Sequence, residues 1–240
     1  MLTIDQELEI FEQLKEIDTP TITNVIATYP AKTDTCLGLY HPWKGKWYTD
    51  QRMKCMFPEL GRTVGYAVTC TYGVADPRFN RLGIGDVLHA IDKSPKPVVL
   101  VVKQNMPDDV KNICGLLGGN MMTAFQSAGC VGVISDGPSR DVDEIRPMKI
   151  QYMLTGTTAG HGDFAVEQVG GPVEVCSMAV STGEIIHMDE NGAVKFPREY
   201  LPFIVDRAKT ILQTEEKRQR LMREAPDVET IIQVMKGIYD

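Results

Sequence analysis

The chain has 240 residues, 43% of them hydrophobic and 24% charged, with a formal net charge of −7 and a pI near 5.2. That length buries a substantial core, and the composition is that of a globular protein rather than a disordered one. Overall acidity with no basic run argues against nucleic acid as a partner, although it leaves room for a local basic pocket that holds a small acid. No stretch approaches the roughly 20 apolar residues of a membrane span, and the acidic, amphipathic start MLTIDQELEI is unlike a signal peptide. We therefore expect no membrane partner and a cytoplasmic location. The six cysteines form no CxxC pair and the four histidines lack HExxH spacing, so a Cys- or His-ligated metal is not expected.

In chain order, Leu2, Ile4, Leu8, Phe11, Leu14 and Ile17 are spaced as one face of a helix. Thr19-Pro20 opens a second short helix, with Thr19 as its expected cap. Residues 30 to 62 are irregular in pattern. TVGYAVTCTY, residues 63 to 72, reads as a strand, and Gly83 to Ile91 as a short helix. Val98 to Lys103 is apolar on both faces, as in a covered parallel sheet. A Gly-rich loop, Cys114 to Gly119, precedes a helix over Asn120 to Ala128 that Gly129 closes, and Val131 to Ser135 is another buried strand. From Val173 to Phe196 short β segments alternate with the turns STGE and DENG, which is hairpin material. Tyr200 to Arg223 is an amphipathic, charged helix, and Pro226-Asp227 starts a last one. There is no repeat and no linker. The chain reads as one α/β domain over 1–240, with a core at 19–197 and helical arms at 1–18 and 198–240.

The chemistry concentrates between Val98 and Asp141. A helix over 120–128 rises about 13 Å and a strand over 131–135 about 16 Å, so the helix start and the strand end lie at the same end of the layer. This brings GLLGGN (115–120) beside DGPSRD (136–141), at the end where ligands bind in open α/β sheets. Asn120 is expected to cap the helix and to leave the N–H groups of Met121 and Met122 facing outward, a site for a carboxylate. The same loop is equally a plain turn with an Asn cap. Asp136, Arg140 and Asp141 offer a guanidinium fork and hard oxygen ligands for a cation. An Arg–Asp pair that merely caps the turn from Asp141 to Ile145 is the bland alternative.

GLLGGNMMTAFQSAGCVGVISDGPSRD resembles the signature of the RraA-like family, with its Gly-rich loop, helix, G-x-x-G-x-V strand and D-G-x-x-R-D turn. Gly61 to Val68 resembles that family's G-x-x-V-G-x-A-V strand, and GEIIHMDENGAVKFP (183–197) its G-D-x-x-x-x-D-x-D-G-V-x-x-x-P hairpin. The likeness runs from about Thr19 onward and is weakest at residues 30 to 60.

The resemblance implies an αββα sandwich of the swivelling phosphohistidine-domain type, assembled as a homotrimer or homohexamer with sites between subunits. It implies a divalent-metal-dependent class II aldolase or decarboxylase that cleaves a C–C bond of a 2-oxo acid, 4-hydroxy-4-methyl-2-oxoglutarate or oxaloacetate, through a pyruvate enolate. Asp141 would be the side-chain ligand of Mg²⁺, Mn²⁺ or another divalent cation. Arg140 would bind substrate and stabilise the enolate, and the backbone of Gly118, Gly119, Asn120, Met121 and Met122 would hold the substrate carboxylate. Asn120 departs from the acidic residue that aldolase members often carry there, and Asn24 from an Asp, which puts the particular reaction in question. The family also includes ribonuclease-activity regulators, so a non-catalytic protein-binding role is the main alternative. A lyase or hydratase for another hydroxy acid could use the same site. A methyltransferase, an older label within the family, finds no G-x-G-x-x-G after an early strand here.

Overall fold

The computed structural model describes residues 2–28, 35–78 and 82–239. Its strands are β1 (Lys54–Cys55), β2 (Thr63–Val74), β3 (Val98–Asn105), β4 (Cys130–Ser135), β5 (Gln151–Leu154), β6 (Phe164–Val169), β7 (Val173–Val175), β8 (Met178–Val180), β9 (Ile185–Asp189) and β10 (Gly192–Phe196). Its helices are α1 (Ile4–Leu14), α2 (Thr19–Ile26), α3 (Ile84–Lys93), α4 (Gly119–Ser127), α5 (Val142–Ile145), α6 (Leu201–Glu224) and α7 (Val228–Met235). Each segment expected from the apolar patterning is present, with ends shifted by a few residues. Of the segment read as irregular, residues 30 to 34 lie outside the described residues. The remainder carries β1 and a single 3-10 turn, Pro58–Leu60.

Among the described residues, eight strands form one mixed sheet. β2 to β5 run parallel in chain order, β1 closes one edge, and β9 and β10 continue antiparallel beyond β2. β2 organises this sheet because it is long enough to take two partners in turn on one side. Thr63–Tyr66 pairs with β9, and Cys70–Val74 pairs with β6. At Gly65 the chain passes close to the neighbouring backbone, where a Cβ would lie 2.8 Å from the Pro97 carbonyl oxygen.

Alternation along β2 divides the core. Val64 and Tyr66 face the terminal arms, packing with Phe11, Leu14, Ile22 and Ile204 of α1, α2 and α6. Farther along the same face, Val68, Cys70 and Tyr72 meet Val87 and Ile91 of α3 and Met122 and Phe125 of α4. The opposite face presents Ala67, Val99, Val101 and Ile134 to the β7–β8 hairpin, about which the sheet curls. Each large apolar side chain buried this way contributes roughly 1.5–3 kcal/mol toward holding the arms on the sheet. The result is a mixed α/β fold. No helix of the described residues is long and apolar enough to cross a membrane.

Capping of α2 departs from expectation. Asp18, not Thr19, is the cap, with its Oδ1 accepting the Thr21 N–H at 2.7 Å. Thr19 lies inside the helix, where its N–H donates to Asp189 Oδ2 at 2.8 Å and its hydroxyl meets His187 Nδ1 at 2.9 Å. Asp189, expected to serve a turn, thus also anchors the start of α2. His187 is fully buried, and its Nε2 donates to the Leu14 carbonyl at 3.0 Å. Both ring nitrogens are engaged as in a neutral imidazole, and burial depresses its pKa below the ordinary value.

A base with a depressed pKa binds more protons unfolded than folded. Its stabilisation is complete above its unfolded pKa of about 6.5 and is lost as pH falls below that value. Urea unfolding between pH 7.5 and 5.5 is expected to show stability falling toward the acid end, with a smaller fall in His187→Gln. Equal slopes for the two proteins would remove His187 as the cause.

Candidate functional site

The loop before α4 and the turn after β4 meet at the carboxyl ends of the parallel strands, as the matched helix and strand lengths require. Hydrogen bonds stitch them together. Leu116 N–H donates to the Pro138 carbonyl at 3.2 Å, and Leu117 N–H to Ser139 Oγ at 3.0 Å. Ser139 is fully buried, and its hydroxyl donates in turn to the Leu117 carbonyl. Tyr152 rises from β5 beneath them, with its hydroxyl 3.1 Å from the Leu117 carbonyl and in contact with Ser139 Oγ. Burial raises the Tyr152 pKa well above its ordinary value, so the phenol stays a donor. A third loop joins through Thr158 N–H to Ser139 O at 2.8 Å and Gly115 N–H to Gly160 O at 3.0 Å.

Asp141 adopts a left-handed conformation, φ 60° and ψ 35°, which Asp tolerates better than most residues. That turn swings its carboxylate back across the site, where Oδ2 accepts the Gly119 N–H at 3.0 Å and lies 3.4 Å from Arg140 Nε. The cap of α4 is therefore supplied from another loop. The cap position itself is Gly118, which has no side chain to offer, and Asn120, expected to cap, lies one residue inside the helix. Met122 N–H, expected to face outward, donates to the Gly118 carbonyl at 2.9 Å, and its side chain is buried in the core. The N–H groups of Asn120 and Met121 belong to the first turn, which has no carbonyl one turn back to receive them. Both glycines leave room for a carboxylate. A Cβ on Gly118 would lie 2.7 Å from Asp141 Oδ2, and one on Gly119 2.2 Å from Glu144 Oε1.

Gly118, Gly119, Asn120, Met121, Arg140 and Asp141 line a cavity of about 420 Å³ together with Gly115, Leu116, Glu144, His161 and Phe164. Glu144 was not singled out in the sequence. Its only signal there is the spacing Asp141–Glu144, three residues along one helical turn. His161, a loop residue, is exposed and also borders the cavity, edge-on to Phe164 with 6.2 Å between ring centres. Asp136 does not join this group. Its Oδ1 accepts the Gln104 N–H at 2.6 Å and its other oxygen pairs with Lys103, beside a separate polar cleft that Arg52 and Lys111 also border. Burial raises the Asp136 carboxyl above its ordinary range, against the pull of Lys103. The turn DGPSRD thus sends its first acid to one cleft and its Arg–Asp pair to the other.

Among the described residues no three His, Cys, Asp or Glu side chains gather as a metal cage. Asp141 is 30% exposed at its side chain, with Oδ2 engaged and an oxygen left to give. That suits a hard cation such as Mg²⁺, which binds through one or two carboxylates and keeps water and substrate oxygens in its shell. It does not suit a cation held by protein ligands alone.

Fold and site together define a mixed α/β protein with a carboxylate–guanidinium pair between loops at the carboxyl ends of its strands. The chain matches the RraA-like family (Aldolase/RraA) over residues 27–195 and belongs to it. It is 34% identical over 108 residues to an uncharacterised protein of Methanocaldococcus jannaschii, covering 44% of this chain and 52% of that one. It is 32% identical over 85 residues to a putative 4-hydroxy-4-methyl-2-oxoglutarate aldolase of Arabidopsis thaliana, covering 33% and 48%. Protein DlpA of Legionella pneumophila is 28% identical over 129 residues, covering 53% and 20%. The chain thus spans about half the length of the first two and a fifth of the third.

Two solved structures share the fold. One is an uncharacterised protein of Pseudomonas syringae pv. tomato, with TM-score 0.71 and 18% identity over 96% of this chain and 94% of that one. The other, from Streptomyces coelicolor, is described as an unusual member of the RNase ES inhibitor RraA protein family, with TM-score 0.64 and 21% identity over 88% and 96%.

Ser139→Ala leaves the buried Leu117 N–H without its acceptor, which costs about 1–3 kcal/mol. Tyr152→Phe removes a single O–H donor and is expected to cost about 1 kcal/mol. Chemical denaturation of both variants checks the order, and a Ser139→Ala protein as stable as the parent would show that the loops hold without this link.

Proposed function

We propose that the protein is a divalent-metal-dependent class II aldolase or decarboxylase, acting on a 2-oxo acid of the 4-hydroxy-4-methyl-2-oxoglutarate or oxaloacetate type. The observation that carries this reading is the placement of Arg140 and Asp141 on one wall of the cavity, with the Asp141 carboxylate anchored to the start of α4. A guanidinium beside a carboxylate can bind an acid while a cation is held next to it.

Arg140 receives the charge that develops on the keto oxygen as the C–C bond breaks, the role in which fixed cationic donors lower a barrier most. The substrate carboxylate lies over the first turn of α4 within the Gly118–Met122 segment. There the N–H groups of Asn120 and Met121 serve it, since those of Gly119 and Met122 are already engaged. Asp141, with water and substrate oxygens, would hold Mg²⁺ or Mn²⁺, and that ion when bound supplies Lewis-acid polarisation of the keto oxygen. Retro-aldol cleavage and β-decarboxylation leave the same pyruvate enolate, so one site serves both. A homotrimer or homohexamer with sites between subunits, an αββα layering of the swivelling phosphohistidine type and a cytoplasmic location belong to the same proposal.

The test is pyruvate release, coupled to lactate dehydrogenase, from both acids with Mg²⁺, with Mn²⁺ and with EDTA. We expect turnover that EDTA abolishes and that Asp141→Ala lowers at least about 100-fold, the order of effect expected when an electrostatic contribution to the transition state is lost. No turnover above that of free metal would sink the assignment in favour of a protein-binding regulator, or of a lyase or hydratase for another hydroxy acid.

A further inference from the structure

Glu144 is the charged group of the cavity that has no assigned task. Asp141 is engaged by Gly119 N–H and Arg140. His161 has its Nδ1 3.1 Å from the carbonyl of Gly162, in its own loop. Glu144 comes from α5, yet its carboxylate lies at the start of α4, where a Cβ on Gly119 would be 2.2 Å from one oxygen and 2.4 Å from the other. Both oxygens therefore lie against the bare Cα of Gly119. Arg146, two residues on, is paired away with Glu59. Among the described residues Glu144 has no hydrogen bond or ion pair, so its carboxylate is free to accept one from a ligand. The adjacent helix residue, Asn120, also borders the cavity, but its amide cannot take up a proton.

We infer that Glu144 is a specificity-determining residue that accepts the proton of the substrate's 4-hydroxyl, so that the site cleaves 4-hydroxy-2-oxo acids and not only β-carboxylated ones. This rests on the pyruvyl-lyase reading above and adds to it the group that reads the hydroxyl. In the aldol cleavage the hydroxyl O–H bond breaks and its proton passes to the Glu144 carboxylate. The C3–C4 bond then breaks, the former hydroxyl oxygen becomes the keto oxygen of one pyruvate, and the electron pair left on C3 delocalises onto the C2 oxygen beside Arg140. Return of the proton from Glu144 to C3 gives the second pyruvate and restores the carboxylate. In oxaloacetate the same C3–C4 bond breaks with release of CO₂. No hydroxyl proton has to leave, and the enolate is protonated from water. The two reactions therefore differ in their need for Glu144.

The experiment compares kcat and KM of the parent protein, Glu144→Gln and the double variant Glu144→Gln/Asn120→Asp on 4-hydroxy-4-methyl-2-oxoglutarate and on oxaloacetate, with Mg²⁺ present. Loss of a positioned base is expected to lower kcat for the aldol cleavage by about 100-fold or more in Glu144→Gln, while kcat for decarboxylation changes by less than about threefold. The double variant, with a carboxylate one residue along α4 from the glycine on which Glu144 rests, is expected to recover part of the aldol rate. A parent protein that turns over both acids, with Glu144→Gln lowering both equally or neither, overturns this inference and leaves the pyruvyl-lyase reading standing. A parent protein that turns over neither overturns both.

Discussion

The contact on which the site depends is the hydrogen bond from Gly119 N–H to the Asp141 carboxylate. It is charge-assisted and sits at the positive end of a helix, two reasons for it to be stronger than an ordinary amide bond. It also fixes the surrounding sequence. Asp141 must turn left-handed to send its side chain back, and Gly118 must be bare to let that carboxylate in. Ser139 and Tyr152 must then hold the two loops in register so that donor and acceptor meet. Because Asp141 Oδ2 is held by a backbone donor and lies near Arg140, only its other oxygen is left without a partner of its own.

The sheet supplies the rigidity behind this. β2 to β5 end side by side, and the loops that leave the carboxyl ends of β4 and β5 carry Asp141 and His161 to the cavity around a core buried on both faces. Tyr152 ties that core to the loops directly, since its ring packs on Phe57 in the interior while its hydroxyl reaches Leu117. Within the turn after β4 the chain direction separates two environments. Asp136 faces Lys103 and a broad polar cleft, whereas Arg140 and Asp141 face the cavity at the start of α4. A single six-residue turn therefore serves two surfaces, and its acids are not interchangeable.

The terminal arms play a different part. α1, α2 and the first half of α6 close the face of β2 that α3 and α4 leave open, and buried contacts such as Glu7 with Arg198 and Tyr66 link them to the sheet. The buried residues of α6 lie at Leu201, Ile204, Val205, Ala208 and Ile211, whereas its charged second half is covered in part by α7 and the chain after it, with Arg218 Nε 3.2 Å from the Tyr239 hydroxyl. The family match ends at residue 195, before this arm begins.

What could be read from the sequence was local or periodic. Apolar patterning located β2, β3, β4 and the hairpin strands from β7 to β10 but not β1, β5 or β6, helical spacing located every helix except α5, which reads as a turn, and matched lengths of α4 and β4 placed GLLGGN beside DGPSRD. The D-G-x-x-R-D spelling pointed to Arg140 and Asp141, and the family follows from it. What the sequence could not show was which side chain answers which backbone group across a gap. An Asn at the start of a helix looks like its cap, yet a carboxylate 22 residues beyond Gly119 caps the helix because a left-handed turn delivers it there. Ser139 and Tyr152 are ordinary residues in composition, and only their meeting at Leu117 makes them the link between loops. Glu144 carries no motif in the sequence, and only the packing of α5 on α4 brings it over Gly119. Periodicity reports which face of an element is buried. The partners of a polar group depend on long-range contacts, and those are decided only when the sheet assembles and its loops are brought together.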